Sequence, residues 1–168
     1  EAVAVASRRQ FLSPLPSATT PFLAHPIFLL YPQYRPEIRS PDISVIDNIV
    51  KNNSGGGINM DGVQHILVRN SDPNTGSFGN GYSGIEIGHS SSTFRTTEWI
   101  TVDSAITTGN GQYGIWSDTS NTTPTQPVDH LTIENSCLSD NILGSTYLVN
   151  LGSNVTIKNN QVSGCGPK

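Results

Sequence analysis

Ile43-Ser44-Val45-Ile46-Asp47 is the first of five similar segments that decide the fold of this chain. The other four are Ile66-Leu67-Val68-Arg69-Asn70, Ile100-Thr101-Val102-Asp103-Ser104, Leu131-Thr132-Ile133-Glu134-Asn135 and Val155-Thr156-Ile157-Lys158-Asn159. Each has two Val, Ile or Leu residues two positions apart, which is typical of a β-strand with one buried face. The copies begin 23 to 34 residues apart. This spacing predicts stacked supersecondary units.

A second repeat lies between these segments. Its copies are Gly57-Ile58-Asn59-Met60-Asp61, Gly84-Ile85-Glu86-Ile87-Gly88, Gly114-Ile115-Trp116-Ser117-Asp118 and, more loosely, Tyr147-Leu148-Val149-Asn150. A third, weaker apolar position occurs at Val50, Leu138 and Val162. Three short strands per repeat predict an all-β fold, a right-handed parallel β-helix of about five coils.

A small polar residue closes each copy of the first segment: Asp47, Asn70, Ser104, Asn135 and Asn159. Asn and Asp tolerate the left-handed turn conformation and bond their own backbone. We therefore expect a turn column in which stacked side-chain amides hydrogen bond to one another. Its role is predicted to be structural.

The composition favours one ordered domain that does not bind nucleic acid. Charged residues make up 13% of the chain, against about 25% in average domains. Of the formal net charge of −4, residues 1–40 contribute +2 from four arginines and two glutamates, which leaves −6 on residues 41–168. Such a surface lacks the basic stripe that nucleic-acid binding requires.

Residues 1–40 do not follow the repeat and are predicted to form a Pro-rich arm or a leader remnant beside a β-helix domain at 41–168. Six prolines within this segment exclude a continuous helix. Ser7-Arg8-Arg9-Gln10-Phe11-Leu12 resembles the core of a twin-arginine export signal. The apolar run Ile27–Tyr31 is too short to cross a bilayer, which takes about 20 residues. We expect it to cover the first coil, and we expect no membrane partner.

The cysteines and the glycosylation sequons indicate which covalent modifications to expect. Cys137 and Cys165 fall at different offsets within successive coils, so stacking alone does not superpose them. Inert buried thiols are the favoured interpretation, with a disulfide as the alternative. Sequons at Asn52, Asn121 and Asn154 are consistent with an extracellular, secreted protein.

The last coil has no recognisable cap before Gly166-Pro167-Lys168. Solenoids normally shield their terminal repeats. We therefore expect either a fragment of a longer solenoid or self-association through the uncapped C-terminal coil.

Candidate site residues follow from the second repeat. Because its isoleucines point inward, Asn59, Glu86 and Trp116 form one outward column, and Asp61 and Asp118 belong to the next. Carboxyl groups about 6.5 to 9.5 Å apart suit an inverting glycosidase, in which one acts as acid and the other as base. An outward indole offers an apolar platform for a sugar ring, and His89 follows the same strand. The alternative interpretation is ordinary solvation of an outer sheet face.

The first repeat presents a different outer column: Ile46, Arg69, Asp103, Glu134 and Lys158. Opposite charges would meet at Arg69 with Asp103 and at Glu134 with Lys158, which predicts a structural face. His65 and His130 each precede a core residue, without metal-ligand spacing. No metal site is expected.

Residues 43–165 resemble the right-handed β-helix repeats of the pectin-lyase-like superfamily. Gly81-Tyr82-Ser83-Gly84-Ile85-Glu86-Ile87-Gly88 sits where polygalacturonases have Gly-His-Gly followed by a strand, and Asn154-Val155-Thr156-Ile157-Lys158-Asn159-Asn160 is similar to a typical coil opening. The histidine is replaced by Tyr82-Ser83, and the Asp-Asp and Arg-Ile-Lys elements do not occur.

The resemblance implies a secreted, polysaccharide-degrading protein, either a hydrolase or a lyase. Glu86 would be the general acid and Asp61 or Asp118 the base, with Trp116 stacking on a sugar and Asn59 and His89 assisting. A non-catalytic carbohydrate-binding, adhesive or structural solenoid is the alternative. No cofactor is expected, although an acidic glycan would require calcium to offset the negative surface. A neutral polysaccharide is therefore the expected partner.

Overall fold

The computed structural model describes residues 27–29, 43–88, 97–118 and 127–166, and within them the chain forms thirteen short β-strands and no helix. The strands are β1 (Ile27–Leu29), β2 (Ile43–Ile46), β3 (Ile49–Lys51), β4 (Ile58–Met60), β5 (Gln64–Arg69), β6 (Gly76–Phe78), β7 (Ile85–Ile87), β8 (Glu98–Asp103), β9 (Thr107–Thr108), β10 (Tyr113–Asp118), β11 (Asp129–Glu134), β12 (Gly144–Val149) and β13 (Thr156–Lys158). Accordingly, no helix in these ranges is long and apolar enough to span a membrane.

The strands form three parallel sheets. Sheet A has the order β1-β4-β7-β10-β12, sheet B has β13-β11-β8-β5-β2, and sheet C has β3-β6-β9. The chain visits B, then C, then A, and repeats this circuit. Every strand therefore pairs with the equivalent strand of the next circuit. The predicted all-β architecture of parallel strands is confirmed, and it is consistent with a β-solenoid.

The five first-repeat segments stack in the register that their apolar positions predict. Val45 pairs with Val68, Val68 with Val102, and Val102 with Ile133. In sheet A, Ile58, Ile85 and Ile115 stack in the same way. A slip of one residue would turn every apolar side chain outward, so burial fixes this register.

The core is a stack of aliphatic side chains between the three sheets. Ile100, Ile115, Leu131 and Ile133 are each 0% exposed, and burial of such a side chain stabilises the fold by about 1.5 to 3 kcal/mol. The last members of two columns differ, because Ile157 is 51% and Val162 58% exposed. The apolar columns are thus open at the last coil that the structure describes.

The apolar run at Ile27 behaves as predicted. β1 pairs in parallel with β4, with Ile27 opposite Ile58, and so covers the first edge of sheet A. The other residues of the predicted arm lie outside the described ranges. Covering this edge prevents it from pairing with another chain.

The predicted turn column is confirmed in its backbone at four of five positions, and its side-chain amides stack at one pair only. Asp47, Ser104, Asn135 and Asn159 adopt φ values of 54°, 55°, 53° and 56°. Asn70 is not left-handed, and its amide donates to Thr75 instead. Only Asn159 to Asn135, at 3.4 Å, links two amides of this column in the described chain.

The amide stack lies elsewhere, in a column that we call the asparagine ladder. It consists of the buried residues Asn53, Asn80 and Asn110 and the half-buried Asn141. Each side-chain nitrogen donates to the next side-chain oxygen, at 2.9, 3.0 and 2.8 Å. Asn80 is 1% and Asn110 0% exposed. The ladder satisfies polar groups inside the turns that precede sheet A, where unpaired groups would be costly.

Cys137 and Cys165 form a disulfide, so the favoured interpretation of unpaired thiols is wrong. Gln161 bridges to Cys137 across neighbouring circuits. The turn that follows has Gly164 and Gly166 at φ 67° and 105° and brings the chain back over that position. This reversal, which lies outside the repeat, supplies the proximity that stacking alone does not.

Both predicted ion pairs on sheet B are confirmed. Arg69 Nη2 lies 2.6 Å from Asp103 Oδ2, and Lys158 Nζ lies 2.9 Å from Glu134 Oε2. Asn135 also donates to Asp103 at 3.1 Å. The Asn135 amide, followed by the hydrogen bonds and charge of Arg69, holds the pKa of Asp103 below its ordinary value, against the opposing effect of desolvation.

Asp103→Asn is expected to flatten the acid dependence of stability. Because the folded-state pKa is depressed, the ionised group contributes above about pH 4, and this contribution is lost as the pH falls through the folded pKa. The loss at pH 7 should be about 1 kcal/mol, since Arg69 is largely exposed. Urea unfolding of wild type, D103N and the exposed control D140N between pH 7 and pH 2.5 measures this effect. Parallel curves for wild type and D103N would contradict it.

Candidate functional site

The outer face of sheet A brings three predicted site residues into one line. Asn59 is opposite Glu86, and Glu86 is opposite Trp116. The same register continues to Tyr147 on β12. Neighbouring parallel strands lie about 4.8 Å apart, so these four residues span about 14 Å. We call them the sheet A line.

Glu86 is more enclosed than an exposed outer face predicts. It is 8% exposed, and Asn59 Nδ2 donates to its Oε2 at 3.4 Å. Gly56 packs so closely against the carboxyl that a β-carbon there would lie 2.5 Å from Glu86 Cδ. Because the turn before β4 passes over the side chain, the carboxylate is held in place rather than freely solvated.

The two predicted aspartates flank Glu86 at the carboxyl ends of the neighbouring strands. Met60 and Ser117 are both opposite Ile87, so Asp61 and Asp118, one residue further on, lie on either side of Gly88. Both are half-buried. One strand spacing and two residue rises place each about 8 Å from Glu86 along the backbone. His89 lies outside the described residues.

Tyr147 was not singled out by its sequence pattern, yet it extends the sheet A line with a second aromatic surface. It is 39% exposed and stacks on Tyr113 with ring centroids 5.2 Å apart. Trp116 is half-buried beside it. The segment Tyr147-Leu148-Val149 was the available signal. It lacks the Gly-Ile start of the other copies of the second repeat, so its sequence did not place Tyr147 in register with Trp116.

A second feature, on the outer face of sheet B, was missed from the sequence. In four successive segments of sheet B, a ring or amide residue lies directly before the first core position. We call this column the ring ladder: His65, Trp99, His130 and Asn154. It borders a groove of about 610 Å³ whose floor includes Leu67, Thr101 and Thr132.

The rings of the ladder are stacked along the direction in which the circuits succeed one another. His65 and Trp99 are parallel with centroids 5.8 Å apart, and Trp99 and His130 are 3.7 Å apart. Asn154 Nδ2 lies 3.2 Å from His130 Nε2, and Asp129 Oδ2 lies 3.5 Å from His130 Nδ1. Trp99 nevertheless remains 47% exposed.

The signal that could have found the ring ladder is positional. His-Ile, Trp-Ile and His-Leu dipeptides open three successive segments. Each histidine alone lacks metal-ligand spacing, and only the shared position of the three dipeptides aligns the rings. Among the described residues, no group of three or more His, Cys, Asp or Glu side chains is arranged to hold a metal ion.

Comparison with known proteins adds no assignment, because no protein-family model, curated protein or solved structure matches this chain.

Proposed function

We propose that this protein is a secreted, carbohydrate-active β-solenoid that binds a polysaccharide across the outer face of sheet A. The observation that supports this proposal is the sheet A line, in which an amide, a carboxylate, an indole and a phenol follow one another in register. Amide and carboxylate groups hydrogen bond to sugar hydroxyls, while aromatic faces cover the apolar side of a sugar ring.

The handedness of the winding and the number of coils belong to the same proposal. We infer right-handed winding in about five coils, as in the pectin-lyase-like superfamily that the sequence resembles. Five parallel strands in sheet B support the number of coils. Crossovers between parallel strands of one sheet are right-handed in about 98% of cases, which supports the winding.

The expected ligand is a neutral glycan. Residues 41–168 carry a formal charge of −6, and Glu86, Asp61 and Asp118 lie on the proposed binding face. An acidic polysaccharide would be repelled there unless calcium offset the charge. Discrimination between neutral and acidic polymers therefore tests the electrostatic part of the proposal.

Hydrolysis is the second candidate function, favoured by the position of Glu86 between two aspartates. The backbones of Glu86 and each aspartate are about 8 Å apart, which allows carboxyl separations in the range of about 6.5 to 9.5 Å that suits an acid, a water molecule and a base. Glu86 would protonate the leaving oxygen, and Asp61 or Asp118 would activate water. The glycosidic bond would break as the water oxygen bonds to the anomeric carbon.

Secretion is supported by two features. The Cys137–Cys165 disulfide is of a kind that persists mainly in oxidising compartments. Asn52, the acceptor of one sequon, is exposed in the turn after β3. Mass spectrometry of protein from a secreting host would test the disulfide and the glycosylation of Asn52 together.

Trp116→Ala is expected to weaken binding of a neutral polysaccharide about tenfold, because a stacking surface worth about 1.4 kcal/mol is removed. Glu86→Gln should preserve binding and abolish turnover if the protein is a hydrolase. Affinity electrophoresis measures binding, and release of reducing ends measures turnover.

Tyr82→Ala is the matched control, since Tyr82 is an aromatic residue 54% exposed and outside the sheet A line. Equal retention of W116A and wild type in the glycan gel would remove sheet A as the binding face. Full turnover by E86Q would remove Glu86 from the mechanism.

A further inference from the structure

We propose that the groove on sheet B is a second carbohydrate-binding site, which takes a neutral glycan chain lying along the ring ladder. It is separate from the sheet A line and does not depend on it. The occupant we infer is a polyhydroxylated, uncharged chain. Four independent features of the groove lead to this assignment: its backbone, its rings, its floor and its charges.

The backbone of the ring ladder is left-handed in every circuit that it crosses. His65, Trp99, His130 and Asn154 have φ values of 57°, 58°, 49° and 60°. Asn and His are enriched among the non-glycine residues that adopt this conformation, whereas a bulky indole is an outlier there. Asparagine, as at position 154, would meet the backbone requirement alone. The indole at position 99 therefore points to a role for what it presents outward.

The rings form a preordered wall. Trp99 is stacked between His65 and His130, and the Asn154 amide lies within hydrogen-bond distance of the His130 ring. The ring centroids of His65 and Trp99 are 5.8 Å apart, and the indole remains 47% exposed. Because these side chains are already ordered, little conformational entropy is lost when a ligand packs against them.

The floor suits a ligand with hydroxyl groups on an apolar frame. Leu67 contributes an aliphatic surface, and Thr101 and Thr132 contribute hydroxyl-bearing side chains. Leu67 pairs with Thr101 and Thr101 with Thr132, so the floor runs across the strands without interruption. The groove volume of about 610 Å³ is within the range of small-molecule sites. Its course across four strands measures about 14 Å, enough for a short oligosaccharide.

The charges around the groove disfavour an acidic ligand. On one side, Arg69 and Lys158 are paired with Asp103 and Glu134. On the other side, Glu98 and Asp129 lie in register directly before the ring ladder. The described residues that line the groove include no Asp, Glu, Lys or Arg. The groove therefore offers no cation for a uronic acid, sulfate or phosphate, and an uncharged glycan fits it.

The chain contains two tryptophans, Trp99 and Trp116, one on each face, so intrinsic fluorescence can report on the two sites separately. In Trp116→Phe the emission comes from Trp99, and titration with a neutral oligosaccharide should give a saturable change. In Trp99→Phe the emission reports on sheet A alone. If a neutral oligosaccharide changes the Trp99 emission but not the Trp116 emission, the sheet A proposal is overturned and this one stands.

Trp99→Asn separates ligand binding from a structural role, because asparagine occupies the equivalent left-handed position, residue 154, two circuits later. We expect W99N to keep the far-ultraviolet circular dichroism and thermal midpoint of wild type while groove affinity falls at least tenfold. The affinity is measured by calorimetry in a Trp116→Phe background, and Tyr82→Ala is the control. Unchanged affinity in W99N overturns the proposal.

Thr132→Glu provides a second variant should W99N fail to fold, since it places a carboxylate on the floor and leaves the ring ladder intact. It should abolish the Trp99 response to a neutral oligosaccharide. A Trp99 response to acidic polysaccharides or to polypeptide only, or no saturable response to any neutral glycan of the panel, overturns the assignment of the ligand.

Discussion

Replacing Asn110 by aspartate is expected to lower the free energy of unfolding by about 3 kcal/mol or more, the largest effect we predict for a single near-isosteric change. Asn110 is 0% exposed. Its Nδ2 donates to Ser77 O at 3.1 Å and to Asn141 Oδ1 at 2.8 Å. Aspartate would place an acceptor oxygen against both of these acceptors and would bring a buried charge.

The Asn110→Asp change keeps the hydrogen bonds that Asn110 Oδ1 accepts. The experiment therefore tests the bonds that Nδ2 donates. Asn110 Oδ1 accepts from both Asn80 N and Asn80 Nδ2 at 3.0 Å, and a carboxylate can still do so. Guanidinium unfolding at pH 7, with the exposed substitution Asn74→Asp as the control, measures the difference. Equal midpoints for the two variants would contradict a stabilising role for the asparagine ladder.

Removal of the disulfide by Cys137→Ser with Cys165→Ser is expected to cost about 3 to 4 kcal/mol. The bond closes a loop with a sequence separation of 28, and the chain-entropy treatment of such a loop gives this magnitude. The last circuit should open first, because the disulfide ties it to the preceding circuit and its apolar residues Ile157 and Val162 are 51% and 58% exposed. Hydrogen exchange and thermal unfolding of the double variant test both expectations.

Reductant supplies the control for this second prediction. Wild type should lose stability on reduction to the level of the double variant, while the double variant should not respond. A wild-type thermal midpoint that is insensitive to reductant under denaturing conditions, or a double variant as stable as wild type, would contradict a stabilising disulfide.

The strands, their parallel pairing and their register could be predicted because burial imposes a strict alternation. Val68 and Val102 must both face the core, and this alone places Arg69 opposite Asp103. The asparagine ladder could not be predicted in the same way. Its members lie in turns between strands, where alternation does not apply, and Asn80-Gly81 and Asn110-Gly111 are the only repeated cue.

The candidate site was predictable in its alignment and not in its environment. Asn59, Glu86 and Trp116 line up because their inward neighbours do. The enclosure of Glu86 depends on the path of the turn at Gly56, and the ring ladder depends on left-handed backbone at residues such as Trp99. The alternation of inward and outward residues along a strand predicts neither the path of a turn nor a left-handed residue. Both features were therefore found only in the structure.

The most direct test of the central proposal is retention of the folded protein on a panel of immobilised neutral and acidic polysaccharides, with reducing ends measured in the same samples. We predict saturable binding to at least one neutral polysaccharide. The Trp116→Ala change, made in a Trp99→Asn background that removes the sheet B site, should weaken this binding about tenfold, with new reducing ends from the wild type if Glu86 acts as the acid. Folded wild-type protein that binds none of the glycans, or a W99N variant that binds a neutral glycan equally well with and without Trp116, would contradict the account.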